Sequence, residues 1–312
     1  MAEKQEKGMI QMESVGDLFL RIRELKETQP PAEADWIRFW FRGQAQAEWA
    51  LHPKGLRESE RSRRAIQPML YEFRAEATIL YDDAPPEHDD LRKWLFLMQH
   101  YGMPTLLLDW TRSALTALAF AVELDQKCPR HNLKDAAIWV LRSGKWNELS
   151  KAASTYAVVD AYSRSLDRLF EAHFDRNAAI PYPLCKSVTA IEPVFNSRRM
   201  FAQQGVFTIH GPDSRPMEEL ASTLQPLCLW KLVVPSDKKK AIRKELYDVG
   251  IHLSSLFPDL DHLSACIWRR YHMEEPTPGN LDTPHSKEPS VGQNPPGDLD
   301  NGGTLPSDVS ST

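Results

Sequence analysis

Arg42 and Gly43 are the first residues whose types and spacing could do chemistry. They follow the apolar residues Phe39 to Phe41 and precede an abrupt change to polar sequence. An arginine offers a planar fork of donors that fits a phosphate or a carboxylate, and a glycine at the end of a strand lets a ligand approach the backbone closely. We therefore predict an anion-binding position here. The alternative is that Arg42 pairs with a buried acid and stabilises the turn.

Gln99, His100 and Tyr101 end a predicted helix, with Gly102 as its C-cap and Pro104 preventing its continuation. A histidine at a helix end, beside a tyrosine and a glutamine, can serve as a general acid or base, as a donor to a ligand or as a simple cap. The sequence leaves these three roles open.

Asp109 and Thr111 follow an apolar run, Leu106 to Leu108. Each could contact a ligand. Each could also be the N-cap of the apolar helix that we predict over residues 113–125, a position that Ser113 could take as well. Capping explains both side chains without any ligand, so both interpretations stay open.

Gln203 and Gln204 end a short predicted helix, before a strand predicted over residues 206–210. Side-chain amides can hydrogen-bond a base, another amide or the backbone. The alternative, for one of the two, is a solvated side chain at a helix C-terminus.

We predict no metal site. The acids considered as ligands are Asp35, Asp109, Asp259 and Asp261. They show no recognisable ligand spacing, which leaves a metal-dependent nuclease as a third hypothesis only. Cys128 and His131 are the nearest approach to a zinc-ligand pair, and this pair has no second half.

In the part of the chain that must position these residues, the predicted helices are concentrated in the first half and the predicted strands are interspersed later. The predicted helices cover residues 15–25, 65–81, 87–100, 113–125, 236–250 and 260–271, and the predicted strands cover 35–43, 136–141, 188–194, 206–210 and 227–235. This order predicts an α+β fold, a single domain with a mixed central sheet flanked by helices. We expect the domain to span residues 13–272. Residues 1–12 and the Pro/Gly/Ser-rich tail, residues 273–312, are predicted to be disordered, because the tail has too little apolar surface to bury.

The charge and hydropathy of the chain limit its partners. A net charge of -5 argues against a dedicated polyanion binder but does not exclude nucleic acid at a local basic patch. The stretch 57–64 could meet phosphates, although its interleaved acids make a solvated face the simpler interpretation. The sequence shows neither a run long enough for a membrane helix nor a signal peptide, so we predict a cytoplasmic protein without membrane contacts.

Five short motifs follow one another along the predicted domain. They are Phe41-Arg42-Gly43; Gln99-His100-Tyr101-Gly102 with Pro104 and Thr105; Leu108-Asp109-Trp110-Thr111; Gln204-Gly205 with Phe207 and Thr208; and Phe257-Pro258-Asp259-Leu260. In this order they resemble the FRG domain, a bacterial and phage-associated family named after its Phe/Tyr-Arg-Gly motif. The resemblance covers nearly the whole predicted domain, and the family name implies no established chemistry.

Arg42 is also similar to the arginine in the first motif of ADP-ribosyltransferases, which ends a first buried strand and holds NAD. This resemblance implies NAD as a cofactor and an effector of the toxin or defence type. Arg42 would hold phosphate, His100 and Tyr101 would contact nicotinamide or ribose, and Glu192 or Gln204 would polarise the reacting ribose. The Ser-Thr-Ser strand and the Glu-x-Glu or Gln-x-Glu turn of those enzymes are absent from this sequence.

Two functions therefore remain. The first is an enzyme that acts on NAD or a related nucleotide, with His100, Glu192 and Gln204 as catalytic residues. The second is a non-catalytic module that senses a nucleotide or the end of a nucleic acid. The ligand-binding residues predicted for both are Arg42, Gly43, Gln99, Tyr101, Thr105, Asp109, Thr111 and Gln203.

Overall fold

A mixed sheet of eight strands forms the centre of the part of the chain that the structure describes. This structure is a computed structural model, which describes residues 10–29, 38–57, 60–81, 84–123, 129–150, 158–166, 170, 188–193, 197–211, 213 and 215–271. The strands are β1 (Ile10–Gln11), β2 (Phe39–Gln44), β3 (Leu107–Thr111), β4 (Ala136–Arg142), β5 (Val159–Asp160), β6 (Thr189–Glu192), β7 (Gly205–Ile209) and β8 (Leu229–Val234). Their spatial order is β1-β8-β4-β2-β3-β7-β6-β5. The two outermost pairs are parallel and the inner pairs are antiparallel.

Helices pack on both faces of this sheet. The described helices are α1 (Val15–Glu27), α2 (Lys54–Arg57), α3 (Glu60–Leu80), α4 (Leu91–His100), α5 (Ala114–Val122), α6 (Ser143–Leu149), α7 (Arg198–Ala202), α8 (Met217–Ser222), α9 (Lys239–Asp248), α10 (Leu253–Leu256) and α11 (Leu260–Tyr271). On one face α1, α5 and α9 bury Phe39 and Phe41 of β2. On the same face α3 and α4 pack on Phe207 and Ile209 of β7. On the other face α6 packs beneath Trp40 and Trp139. The predicted α+β fold with a mixed central sheet is therefore confirmed.

Local capping explains where the helices nearest the functional residues begin. The Ser14 hydroxyl accepts from the Asp17 amide at 3.1 Å, and the Asp17 carboxylate accepts from the Ser14 amide at 3.1 Å, which closes a capping box on α1. Ser113 caps α5 by accepting from the Thr116 amide at 3.2 Å. Of the three candidates for this cap, the structure selects Ser113 over Asp109 and Thr111.

The structure places residues 10–12 within the fold, although the sequence assigned them to a disordered terminus. Ile10 and Gln11 pair with β8, and the Met12 amide donates to the Val233 carbonyl at 2.8 Å while its side chain is fully buried. Three apolar residues, Met9, Ile10 and Met12, after a charged stretch give too weak a pattern to predict a strand of two residues. Residues 1–9, Asp35, Cys128 and the tail 273–312 lie outside the described residues.

Candidate functional site

A cavity opens where β2 and β3 separate. These neighbouring strands are paired through Phe41 and Thr111, while β2 continues along β4 to Gln44 and β3 runs along β7 from Leu107. The sheet therefore divides at its middle, and the space between the two strands is a cavity of about 750 Å³. A volume of this size suits a ligand of the size of a nucleotide.

Arg42 spans the gap between the two strands. Its Nη1 donates to the Asp109 carbonyl at 2.7 Å and lies 3.9 Å from the Asp109 carboxylate, and its side chain lines the cavity. Burial lowers the pKa of Arg42 to about 10, and the Asp109 carboxylate partly opposes this change. The guanidinium thus stays charged at neutral pH. Arg42 is therefore bound to β3 and also faces the cavity, and anion binding by this residue stays a prediction.

Asp109 does not cap a helix. Its position within β3 points its carboxylate into the cavity, where the Gln99 side-chain amide donates to it at 2.9 Å. The side-chain oxygen of Gln99, Oε1, in turn accepts from the Thr105 hydroxyl. The oxygen of that hydroxyl accepts from the Leu107 backbone amide at 3.0 Å. Thr105 is fully buried and does not line the cavity. It therefore acts on the site by orienting Gln99.

Three further cations line the cavity, and the sequence considered one of them, Arg57, as a phosphate contact within the stretch 57–64. Lys54 donates to the Gly102 carbonyl at 2.6 Å, and Arg57 donates through Nε to the His52 carbonyl at 2.9 Å. Arg199 lies over the ring of Phe257 at 4.4 Å. Burial lowers the pKa of both Arg57 and Arg199, and Asp109 opposes the change in each. Among the described residues that line the cavity, four Lys and Arg side chains thus face the single carboxylate of Asp109.

His100 and Tyr101 line the same cavity. Burial lowers the pKa of His100 below its usual value, and the charge of Arg199 lowers it further. The His100 ring stands edge-on to Tyr101 at 5.2 Å, and its Nδ1 lies 3.4 Å from the Ser197 hydroxyl. The imidazole is therefore neutral at neutral pH and available as a hydrogen-bond partner for a ligand.

Gly43 is required by helix packing as well as by its position at the cavity. A Cβ atom built on Gly43 would lie 1.9 Å from the Ala117 carbonyl oxygen and 2.8 Å from the Ala121 nitrogen of α5. We predicted that the glycine lets a ligand approach the backbone. The structure shows that its missing side chain admits the backbone of α5, and the approach of a ligand to Gly43 stays a prediction.

The structure does not bring the predicted catalytic residues together. Glu192 is bound to Arg112 and does not line the cavity. Gln204 is exposed, has a φ of 49° and also does not line it. Gln203 does, while its side-chain amide donates to the Leu256 carbonyl at 3.2 Å. Of the three predicted catalytic residues, His100 is the one at the cavity.

Thr111 joins the β3 end of the cavity to the segment that follows α7. Its hydroxyl donates to the Gln203 carbonyl at 2.6 Å and accepts from the Ser113 amide at 3.0 Å. Both bonds hold Thr111 to neighbouring backbone, so its hydroxyl positions the β3–α5 turn and Gln203.

The loop after β2 carries Trp49 into the cavity. Two lysines hold this loop, one from β8 and one from the start of α9. Lys239 donates to the Ala45 carbonyl at 2.8 Å, and Lys231 donates to the Ala47 carbonyl. Burial lowers the pKa of Lys239 to about 8. These two ammonium groups thus hold the loop that carries the indole ring of Trp49.

The fold and the site together define an α+β protein with a cation-lined cavity in a divided mixed sheet. The family model of the FRG domain matches residues 37–129, so the chain contains an FRG domain. The match includes β2, β3 and the Gln99-to-Thr111 segment, and Arg199 and Gln203 lie beyond it. Neither a curated protein nor a solved structure matches the chain. No helix in the described part of the chain is long and apolar enough to cross a membrane.

Proposed function

We propose that the cavity between β2 and β3 binds a nucleotide as a non-catalytic module. The observation that carries this proposal is the surplus of positive charge. Arg42, Lys54, Arg57 and Arg199 line a cavity whose described residues contribute one carboxylate, that of Asp109. Cations that lie near one another repel, and an anion bound between them compensates this repulsion. A diphosphate or triphosphate supplies that charge and suits the planar guanidinium groups.

Aromatic rings in the same cavity favour a ligand that carries a base. Trp49 is 40% exposed and Tyr101 is 59% exposed, and both line the cavity. Stacking of a base on an aromatic ring contributes about 1–3 kcal/mol. Phosphate binding by the arginines and stacking on a ring are the two contacts that a nucleotide combines.

The arrangement supports binding more strongly than catalysis. Glu192 and Gln204 do not line the cavity, so they cannot polarise a ribose bound there. Among the described lining residues, Asp109 is the carboxylate that could stabilise an oxocarbenium-like centre, and Gln99 already donates to it. An NAD-cleaving enzyme would therefore depend on Asp109 and His100.

Titration calorimetry of the full chain with ADP, ATP, ADP-ribose and NAD tests the proposal. We expect binding of at least one of them, weakened about 10- to 100-fold in Arg57→Ala and in Arg199→Ala, because each removes a charge-assisted hydrogen bond. Arg23→Ala removes an exposed cation of α1 and is the matched control, which should bind as the wild type does. Absence of binding for all four nucleotides, or equal weakening in the control, would refute the proposal.

An assay for the release of nicotinamide from NAD distinguishes a non-catalytic binding module from an NAD-cleaving enzyme. A protein that binds NAD without releasing nicotinamide is the expected result. Turnover that is lost in Asp109→Asn and retained in Arg23→Ala would establish the enzyme instead.

A further inference from the structure

The last described helix, α11, presents an apolar stripe to solvent. Leu260, Leu263, Ile267, Trp268 and Tyr271 are between 44% and 79% exposed. Counted from Leu260, the other four follow at three, seven, eight and eleven residues, which places all five on one side of a helix with 3.6 residues per turn. An exposed apolar stripe of this kind marks an interaction surface in a soluble protein.

The opposite side of α11 already packs against the domain. Cys266 is buried there, and the His262 ring stacks on Phe257 at 4.4 Å. At the C-terminal end of the helix, Arg270 Nε donates to the Tyr247 hydroxyl at 2.8 Å. The helix is therefore held along its inner side while the stripe faces outward. At about 1.5 Å per residue, it offers a contact roughly 18 Å long.

The charges at the two ends of α11 select the orientation of a helical partner. Asp259 and Asp261 lie at its N-terminal end, and Arg270 lies at its C-terminal end. A parallel copy would bring acid against acid and base against base. An antiparallel copy brings each acidic end against a basic end and also opposes the two helix dipoles.

We propose that α11 packs antiparallel against α11 of a second copy of this chain, which makes a two-fold symmetric dimer. Such an interface is isologous, so the same stripe serves both copies. The tail that follows α11 is a poorer occupant, because residues 273–312 contain no aromatic residue and are rich in Pro, Gly, Ser and Asp. The acidic end of the helix also disfavours an anionic membrane surface.

Sedimentation equilibrium of the full chain tests the dimer. We expect a reversible dimer whose dissociation constant rises at least tenfold in Ile267→Glu, because a charge is then buried in the stripe. Ile79→Glu is the matched control, since Ile79 is 86% exposed on α3, and it should leave the dissociation constant unchanged. A monomer at all concentrations, or a dimer that Ile267→Glu leaves intact, would overturn the proposal. Dimerisation only after removal of residues 274–312 would show that the tail covers the stripe, and would overturn it too.

Disulfide formation tests the antiparallel orientation. Ser264 lies on the stripe side near the middle of α11, and its described hydrogen bond is the one it donates to the Asp261 carbonyl. A two-fold axis at the helix centre brings the two copies of residue 264 together and separates the two copies of residue 260. We expect Ser264→Cys to form a covalent dimer on mild oxidation and Leu260→Cys to form none. Efficient cross-linking through Leu260→Cys would indicate a parallel pair and contradict the proposal.

Discussion

At the scale of single residues, Arg42 both connects two strands and lines the cavity. Its bond to the Asp109 carbonyl ties β3 to β2 where their pairing has ended, and its guanidinium still faces the cavity. Its Nε is buried and has no hydrogen-bond partner among the described residues. A ligand that accepts a hydrogen bond would compensate this group.

Arg42 and Arg57 should therefore respond differently to substitution. Arg42→Ala removes a charge-assisted bond between strands and should lower the free energy of unfolding by about 1–3 kcal/mol as well as weaken nucleotide binding. Arg57→Ala removes an exposed side chain bound to the His52 carbonyl and should weaken binding with an unchanged melting temperature. Thermal unfolding and calorimetry on both variants check this. A destabilised Arg42→Ala protein with wild-type affinity would show that this arginine is purely structural.

His100 should make the stability of the protein depend on pH. Its folded-state pKa lies below the usual 6.5, because burial and Arg199 disfavour the charged imidazole. As the pH falls, His100 is therefore protonated in the unfolded chain at a higher pH than in the folded chain. The free energy of unfolding consequently decreases below about pH 6.5. We expect the free energy of unfolding of the wild type to fall relative to His100→Gln between about pH 7.5 and pH 5. Denaturant titrations at each pH measure this difference, and a constant difference would contradict the shift.

At the scale of elements, the site depends on the close packing of β2 against α5. The helix backbone occupies the space where a Gly43 side chain would be. Because α5 also follows β3 directly, this contact holds the two strands that border the cavity in one arrangement.

Gly43→Ala should therefore be destabilising. The new methyl group would meet the Ala117 carbonyl at 1.9 Å, so α5 must move, at a cost of about 1–3 kcal/mol or more. Gly16→Ala is the matched control, because its Cβ would have its nearest contact, Ser14 Oγ, at 3.6 Å within α1. The control should be neutral or stabilising by up to about 1 kcal/mol. Chemical denaturation of both variants measures the effect, and equal stabilities would argue against the tight contact.

Sequence patterns predicted those elements whose ends have capping residues or strong periodicity. The helix from Ser14 and the apolar strands around Trp40, Trp139 and Trp230 are where the sequence placed them. The predicted helix 87–100 begins later, at Leu91, because Asp90 is its N-cap. Pro68 lies inside α3, since that helix begins at Glu60, upstream of the predicted start.

The candidate site could be predicted only in part. The motif residues Arg42, Gln99, His100 and Asp109 do meet, because the segment that ends α4 leads directly into β3. The roles of Arg57 and Arg199 depend on the folding of α2 and α7 against a cavity created by the separation of two strands. No local sequence pattern indicates that β2 and β3 separate, because the pairing of strands depends on residues far apart in the sequence.

At the scale of the whole molecule, the order of the sheet links distant parts of the chain. The N-terminal strand β1 pairs with β8, more than two hundred residues away, and β8 continues through β4 to β2 at the cavity. The Val15 amide also donates to the Glu245 carboxylate of α9 at 2.8 Å. The N-terminus is thus part of the same packed layer as the elements behind the site.

A truncation series separates the terminus into a dispensable part and a structural part. A chain that begins at Ile10 keeps β1 and should unfold at the wild-type denaturant midpoint. A chain that begins at Glu13 loses β1 and the fully buried Met12 side chain, and should lose about 2–5 kcal/mol. Met12→Ala in the full-length chain isolates the side chain from the strand, and should show most of this loss if core packing dominates. Equal midpoints for the two truncated chains would mean that residues 10–12 contribute nothing to the free energy of unfolding. That outcome would agree with the disordered terminus predicted from the sequence.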